Sequence, residues 1–158
     1  MALFLSTYVN KVDRKGRISV PATFRAALAT QSYQGIVAFP SFRESYDAIE
    51  ACGMDRMESL SESVDRLDPF TDVHDDLASV IFGAAAQLPF DGEGRIVLPE
   101  GLREHARIAD QAAFVGRGRT FQIWHPDSLR AFETEARTRA REARGLLRLG
   151  AKGEGDDA

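Results

Sequence analysis

Cysteine is nearly absent from this chain of 158 residues: Cys52 stands alone. One thiol can close no intrachain disulfide and build no cysteine zinc cluster. Cys52 is therefore read as a reduced, partly buried thiol of a cytosolic protein. Long hydrophobic runs are lacking too. No stretch approaches the roughly 18 apolar residues of a membrane span. Near the N-terminus Ser6, Thr7 and Asn10 interrupt any apolar run of the kind that marks a secretory signal. A soluble cytoplasmic chain is the expectation. The three histidines, His74, His105 and His125, are widely spaced, and none forms a short-range ligand pair with cysteine or another histidine. No metal and no cofactor are expected. Ser45, Ser61 and Ser79 lack a Gly-x-Ser-x-Gly elbow. Gly116-Arg117-Gly118 lacks the strand-to-helix setting of a phosphate-cradling loop. An excess of positive charge is also missing. The formal net charge of −4 is the wrong sign for a protein that coats nucleic acid without specificity. Any contact with nucleic acid must come from a local basic patch.

What is present favours a folded chain. Hydrophobic residues make up 44% of it and charged ones 28%, enough for a packed core in one ordinary domain or two small ones sharing a core. The chain also repeats itself. Residues 12–25 read VDRKGRISVPATFR and residues 90–103 read FDGEGRIVLPEGLR. Aligned without a gap, they share Asp13/Asp91, Gly16/Gly94, Arg17/Arg95, Ile18/Ile96, Pro21/Pro99 and Arg25/Arg103, every pair 78 positions apart. Each copy reads as strand, tight turn, strand and short helix. Asp can bond backbone two residues on, and Gly accepts positive φ, so Asp-x-x-Gly-Arg is turn chemistry. The β-branched runs that follow are strand-like, and Pro21 and Pro99 fit a first helical position. Phe24 and Leu28, four apart, mark one helix face.

Further strands are expected at residues 35–39, 113–116 and 120–124, the last two joined by a turn at 116–119. Residues 54–67 and 72–85 read as helices parted by Asp68-Pro69. The second carries a stripe of Val73, Leu77, Val80, Ile81 and Ala84. Residues 126–149 read as a long helix with Leu129, Phe132, Ala136, Ala140, Ala143 and Leu147 forming a seam toward a partner or the core. The charged, apolar-poor tail at 150–158 is expected to be disordered. The chain thus divides into a first repeat at 1–53, connecting helices at 54–85, and a second repeat with its helix at 86–149.

The doubled Asp-x-x-x-Arg, present as Asp13-Arg14-Lys15-Gly16-Arg17 and Asp91-Gly92-Glu93-Gly94-Arg95, resembles the MraZ family within the AbrB-like swapped-hairpin regulators. The Gly-Arg-Ile that closes each loop and the downstream Pro fit in both copies. The resemblance covers roughly residues 1–145 and leaves the tail outside. It implies an α+β chain of two pseudo-symmetric swapped-hairpin halves, a barrel-like core with peripheral helices. It also implies closed homo-oligomeric rings, nucleoid association, and binding to tandem double-stranded DNA repeats upstream of a division and cell-wall operon, which the family represses. The loops would face DNA, with Arg17 and Arg95 at the family's arginine positions.

The residues themselves support one loop better than the other. Lys11, Arg14, Lys15 and Arg17 outnumber Asp13, a local +3. An arginine fork there can take guanine or hold phosphate, and the lysines supply phosphate charge. Asp13, Gly16, Asp91 and Gly94 shape the loops. In the second loop Asp91 and Glu93 face only Arg95, a local −1. Arg95 is read equally as a DNA contact or as a structural group tied to Asp91. Arg117 and Arg119 form an auxiliary candidate. Arg137, Arg139, Arg141, Arg144 and Arg148 are interspersed with Glu133, Glu135 and Glu142 and read as a solvated helix face. Two matched Asp residues are also the residue type of an aspartic-protease dyad. Neither copy has Asp-Thr/Ser-Gly, so the chain is read as no enzyme. A ring-forming scaffold that binds no DNA is the remaining rival.

Overall fold

The structure, a computed structural model, describes residues 2–149. The tail expected at 150–158 lies outside the described residues. In chain order the strands are β1 (Thr7–Lys11), β2 (Arg17–Ser19), β3 (Gly35–Pro40), β4 (Ala48–Cys52), β5 (Ala86–Pro89), β6 (Arg95–Val97), β7 (Gln111–Gly116) and β8 (Phe121–Trp124). The helices are α1 (Ala22–Ala27), α2 (Met54–Asp65), α3 (Asp72–Ala78), α4 (Glu100–Ala106) and α5 (Pro126–Ala143).

Two antiparallel sheets arise from this order. Six strands run β1-β7-β8-β4-β3-β5, and β2 and β6 form a separate two-stranded ribbon. Exchanging the halves leaves the larger sheet's order unchanged. The first strand of each half lies beside the third strand of the other, β1 on β7 and β5 on β3. At the centre β4 meets β8. The hydrogen-bonded ladders close no barrel among the described residues; β1 and β5 are open edges. The barrel-like core expected from the resemblance is thus an open sheet with a separate ribbon.

Burial explains the arrangement. On the ribbon Ile18 sits opposite Ile96, each 1% exposed, while Arg17, Ser19, Arg95 and Val97 alternate onto the other face. Behind the two isoleucines lie Val20 and Leu98, then Phe24 of α1 and Leu102 of α4. Phe24 makes edge or tilted ring contacts with Phe4, Tyr8, Phe114 and Phe121. One apolar cluster therefore takes matching residues from both repeats and the sheet behind them. A smaller cluster of Val37, Phe39, Cys52, Met57 and Ile81 holds α2 and the segment after α3 against the sheet. A third seats α5 through Leu129 beside Tyr46 and Trp124.

Several expectations shift. β4 was not foreseen, because Ala48-Ile49-Glu50-Ala51-Cys52 has only one strongly strand-forming residue. Its pairing with β3 and β8 on both sides makes it a strand. The helix expected over 72–85 stops at Ala78 and continues as one wide turn, Ser79–Gly83, before β5 begins. Its stripe is only partly buried: Ile81 is in the core, whereas Val73 and Ala84 are exposed. α5 ends at Ala143 and tightens at Arg144–Leu146. Beyond Phe132 its seam has little to pack on: Ala136 is half-buried, and Ala140, Ala143 and Leu147 are exposed. Pro21 and Pro99 sit at the caps just before α1 and α4, with extended ψ of 140° and 150°, rather than inside the first turn.

Replacing Phe24 with Ala is expected to destabilise the chain by about 3–5 kcal/mol, the usual cost of emptying a buried aromatic site. Phe70→Ala, at a side chain 95% exposed, is expected to stay within about 0.5 kcal/mol of the parent. Urea unfolding followed by circular dichroism checks both. Equal effects would contradict the assigned core.

Candidate nucleic-acid interface

The two Asp-x-x-x-Arg segments fold into nearly superimposable clasps. In the first, Asp13 Oδ1 accepts the backbone N–H groups of Lys15 and Arg17 at 2.9 and 2.8 Å. Its Oδ2 accepts Arg17 Nε at 2.7 Å. In the second, Asp91 Oδ1 accepts Glu93 and Arg95 N–H at 2.8 and 2.9 Å, and Oδ2 accepts Arg95 Nε at 2.8 Å. Backbone bonds close each loop: Gly16 N–H donates to Asp13 C=O, and Gly94 N–H to Asp91 C=O, both at 3.0 Å. Gly16 and Gly94 have φ of +82° and +78°, the left-handed region that L side chains rarely enter. The residue types required at each position are now evident. A short carboxylate must satisfy two amides and one guanidinium, and a glycine must reverse the chain.

These contacts set the ionisation of the loops. The Arg17 backbone amide most of all, helped by the Arg17 side chain and the Lys15 amide, holds the Asp13 carboxyl below its ordinary value, and outweighs desolvation, the next largest influence, which pushes the other way. Asp91 is lowered in the same way, first by the Arg95 amide. The hydrogen bond that Arg95 donates to Asp91 in turn raises Arg95 above its ordinary value, so this guanidinium stays charged.

The clasp engages Arg17 through Nε alone; its two Nη groups make no hydrogen bond or ion pair among the described residues. Arg95 is more occupied, with Nη2 also 3.6 Å from the Glu93 carboxylate. The two arginines share one face. Arg17 pairs with Val97 and Ser19 with Arg95, so the guanidinium-bearing positions are diagonal neighbours on the outer face of the ribbon. Such diagonal residues lie about 7–8 Å apart. Arg14 and Lys15 are exposed in the first loop, and Lys11 is exposed at the end of β1 just before it. The structure therefore brings Arg14, Lys15, Arg17 and Arg95 to one ribbon and its flank, with Lys11 on the adjoining edge strand.

Residues not singled out as site residues also build this face. Asn10 Nδ2 donates to Ser19 C=O at 2.7 Å and ties β1 to the ribbon. Arg25 and Arg103 lie against the loops of the opposite halves. Their identity in the repeat was a signal, but spacing along the chain does not say which loop they touch. Arg117 of the auxiliary candidate is instead tied inward, donating to Tyr46 Oη at 3.2 Å and Gln122 Oε1 at 2.8 Å. Arg119 is exposed in the same turn. On α5, Arg139 pairs with Glu135 at 3.5 Å and covers the Phe132 ring.

The histidines serve local structure. His125 Nδ1 accepts the Asp127 amide and caps α5, and His105 Nε2 lies 2.9 Å from Ala48 C=O. His74 gives its backbone N–H to the cap of α3, Thr71 Oγ1. Among the described residues no group of three or more His, Cys, Asp or Glu is placed to hold a metal ion. Burial pushes the Cys52 thiol up to about 12, so it stays protonated at neutral pH. No helix among these residues is long and apolar enough to cross a membrane.

Fold and site together define a class: α+β chains of two interleaved halves, each presenting one carboxylate-clasped arginine loop. Comparison with known proteins narrows it. The family described as "MraZ protein, putative antitoxin-like" matches residues 81–149. A Rickettsia felis protein named "Transcriptional regulator MraZ" is 46% identical over 148 residues, covering 94% of this chain and 98% of its own. Relatives of the same name from Rickettsia bellii and Rickettsia rickettsii are 45% and 46% identical with the same coverage. The chain belongs to the MraZ family.

The lowered carboxyls give a pH expectation. A depressed folded-state value means that the clasp's contribution is fully present above the ordinary carboxylate range and is lost as pH falls through the lowered value. In a carbon-detected NMR titration, Asp13 and Asp91 should both show midpoints below 3.8. A midpoint at or above that value in either loop would refute its clasp.

Proposed function

We propose that this chain is a sequence-specific DNA-binding transcriptional regulator. On this reading it represses the division and cell-wall operon that contains its own gene, from the cytoplasm and in association with the nucleoid. It binds tandem double-stranded DNA repeats upstream through the two clasped loops, and it does so as a ring-shaped homo-oligomer. Its repeats, 1–53 and 86–149, act as swapped-hairpin halves joined by 54–85. No catalytic step and no cofactor belong to this reading.

The observation that carries it is the outer face of the ribbon, where Arg17 and Arg95 stand diagonally with their Nε atoms held by Asp13 and Asp91. A two-stranded ribbon fits the major groove, about 12 Å wide, and an arginine fork can take guanine O6 and N7 together. Holding Nε leaves the Nη pair of Arg17 for a ligand and removes much of the conformational freedom that binding would otherwise cost. Arg14, Lys15 and Lys11 add charge for flanking phosphates. The interleaving of β1 with β7 and β5 with β3 supports the swapped-hairpin description. The name shared by the close relatives supports a role in transcription.

Ring assembly has a physical motive. A single pair of short loops binds weakly, whereas linked copies on repeated sites raise avidity by about 10²–10⁴. The unburied outer part of α5 supports it, as do Leu146, Leu147 and Leu149, exposed at 80%, 72% and 93%. These apolar side chains have little to pack on among the described residues.

Fluorescence anisotropy with the duplex upstream of the chain's own gene, against a scrambled duplex, tests the assignment. Arg17→Ala should lose about 1–3 kcal/mol of binding and relax specificity at one base pair. Arg95→Ala should lose less, because Glu93 already competes for its guanidinium. Lys15→Ala should weaken both duplexes alike and lower the salt slope by about one. Absence of any preference by the parent chain would favour an oligomeric scaffold that binds no specific DNA.

A further inference from the structure

Arg25 in α1 and Arg103 in α4 occupy the same place in the two halves, and both are half-buried. Each is turned away from its own loop. Arg25 Nε donates to Val20 C=O at 3.1 Å. This lays the guanidinium across Gly94 of the other half: a Cβ built on Gly94 would lie 2.6 Å from Arg25 Nε and 2.7 Å from Cζ. Val20 completes the unit, because its own N–H donates to Gly94 C=O at 3.1 Å. One residue thus holds the loop by its amide and the arginine above it by its carbonyl. In the mirrored position Leu98 N–H donates to Gly16 C=O at 2.8 Å. There Arg103 Nη1 lies 3.5 Å from where a Gly16 Cβ would stand, and Arg103 Nη2 donates to Ala109 C=O at 3.2 Å.

We propose that Arg25 and Arg103 are crossed positioning residues: Arg25 braces the loop that presents Arg95, and Arg103 braces the loop that presents Arg17. This rests on the DNA-interface reading. Gly94 is then required twice over, once for its positive φ and once because any side chain would displace a guanidinium. The brace also corrects the charge of the weaker loop. Asp91, Glu93 and Arg95 sum to −1 within their own segment, and Arg25, delivered from the other half, brings the assembled loop to neutrality. The closer contact is at this loop, so Arg25 is the more consequential of the two.

Two arms on the full-length chain test the proposal. Without DNA, amide NMR spectra of Arg25→Ala should show the Gly94 and Arg95 signals shifted and those of Gly16 and Arg17 in place; Arg103→Ala should show the reverse. Shifts confined to the loop of the same half, or to neither loop, overturn the crossing. With the upstream duplex, Arg25→Ala should weaken binding about tenfold, within the range for residues that share a partner. Added to Arg95→Ala it should cost little more, whereas added to Arg17→Ala it should multiply. Arg25→Lys should not restore affinity, because a lysine keeps the charge but not the flat fork that covers glycine. Restoration by lysine, or full multiplication with Arg95→Ala, would make Arg25 an independent phosphate contact and overturn the proposal. Should Arg25→Ala unfold by circular dichroism, Arg25→Lys carries the spectral arm with the same expected shifts. A parent chain that ignores the duplex removes the DNA-interface reading, and the spectral arm still decides the bracing.

Discussion

The pairing of β2 with β6 is the constraint on which the rest of the structure depends. Each strand is three residues long and, among the described residues, pairs with no other named strand. Neither half could hold its own loop in place alone, since an isolated two-stranded ribbon is marginal in water. Ile18 against Ile96 supplies the burial, and Phe24 and Leu102 close over it from α1 and α4. The amides of Val20 and Leu98 reach across to the carbonyls of Gly94 and Gly16. Each loop is thus closed at its base by its own aspartate and anchored along its flank by the other repeat.

That cross-anchoring changes what a short surface loop can do. Exposed Asp–Arg pairs usually add little to stability, because water screens them and side-chain entropy opposes them. Here the carboxylate bonds two backbone amides as well as Nε, so its task is geometric. It holds one edge of the Arg17 guanidinium through Nε. The same atoms that would make the loop an inert solvated turn make it a pre-oriented donor pair. An Asp–Arg bond within the chain is therefore no argument against contact with a ligand, and Arg95 need not be either structural or functional.

The sequence made some of this legible and hid the rest for physical reasons. The loops were readable because Asp-x-x-Gly-Arg is local chemistry: a carboxylate two and four residues from its amides and a glycine at the reversal. α2, β3 and the start of α5 followed from apolar spacing within one segment. β4 was not readable, because Ala48, Ala51 and Cys52 become strand residues only when β3 and β8 flank them. The end of α5 differs for the converse reason: Ala140, Ala143 and Leu147 keep helical spacing but are exposed among the described residues, and the helix stops at Ala143. The same limit applied to the site. Local charge counts set the second loop at −1, since Arg25 is contributed from a distant segment. Repetition told which residues correspond but not that the halves exchange neighbours.

The backbone is nearly two-fold symmetric and the charges are not, and the difference bears on recognition. Both clasps have matching bond lengths and matching glycine φ values, so the ribbon presents its arginines symmetrically. Around them stand Arg14 and Lys15 on one side and Gly92 and Glu93 on the other. A symmetric ribbon would read an inverted repeat equally well in either direction. One with a basic end and a neutral end has a preferred orientation, because phosphates flank the groove on both sides and only one end attracts them strongly. Under the proposed function, each copy would then lie on its site in one sense only. Sites repeated head to tail match such a reader better than palindromes do, since every copy in a row can place its basic end in the same direction.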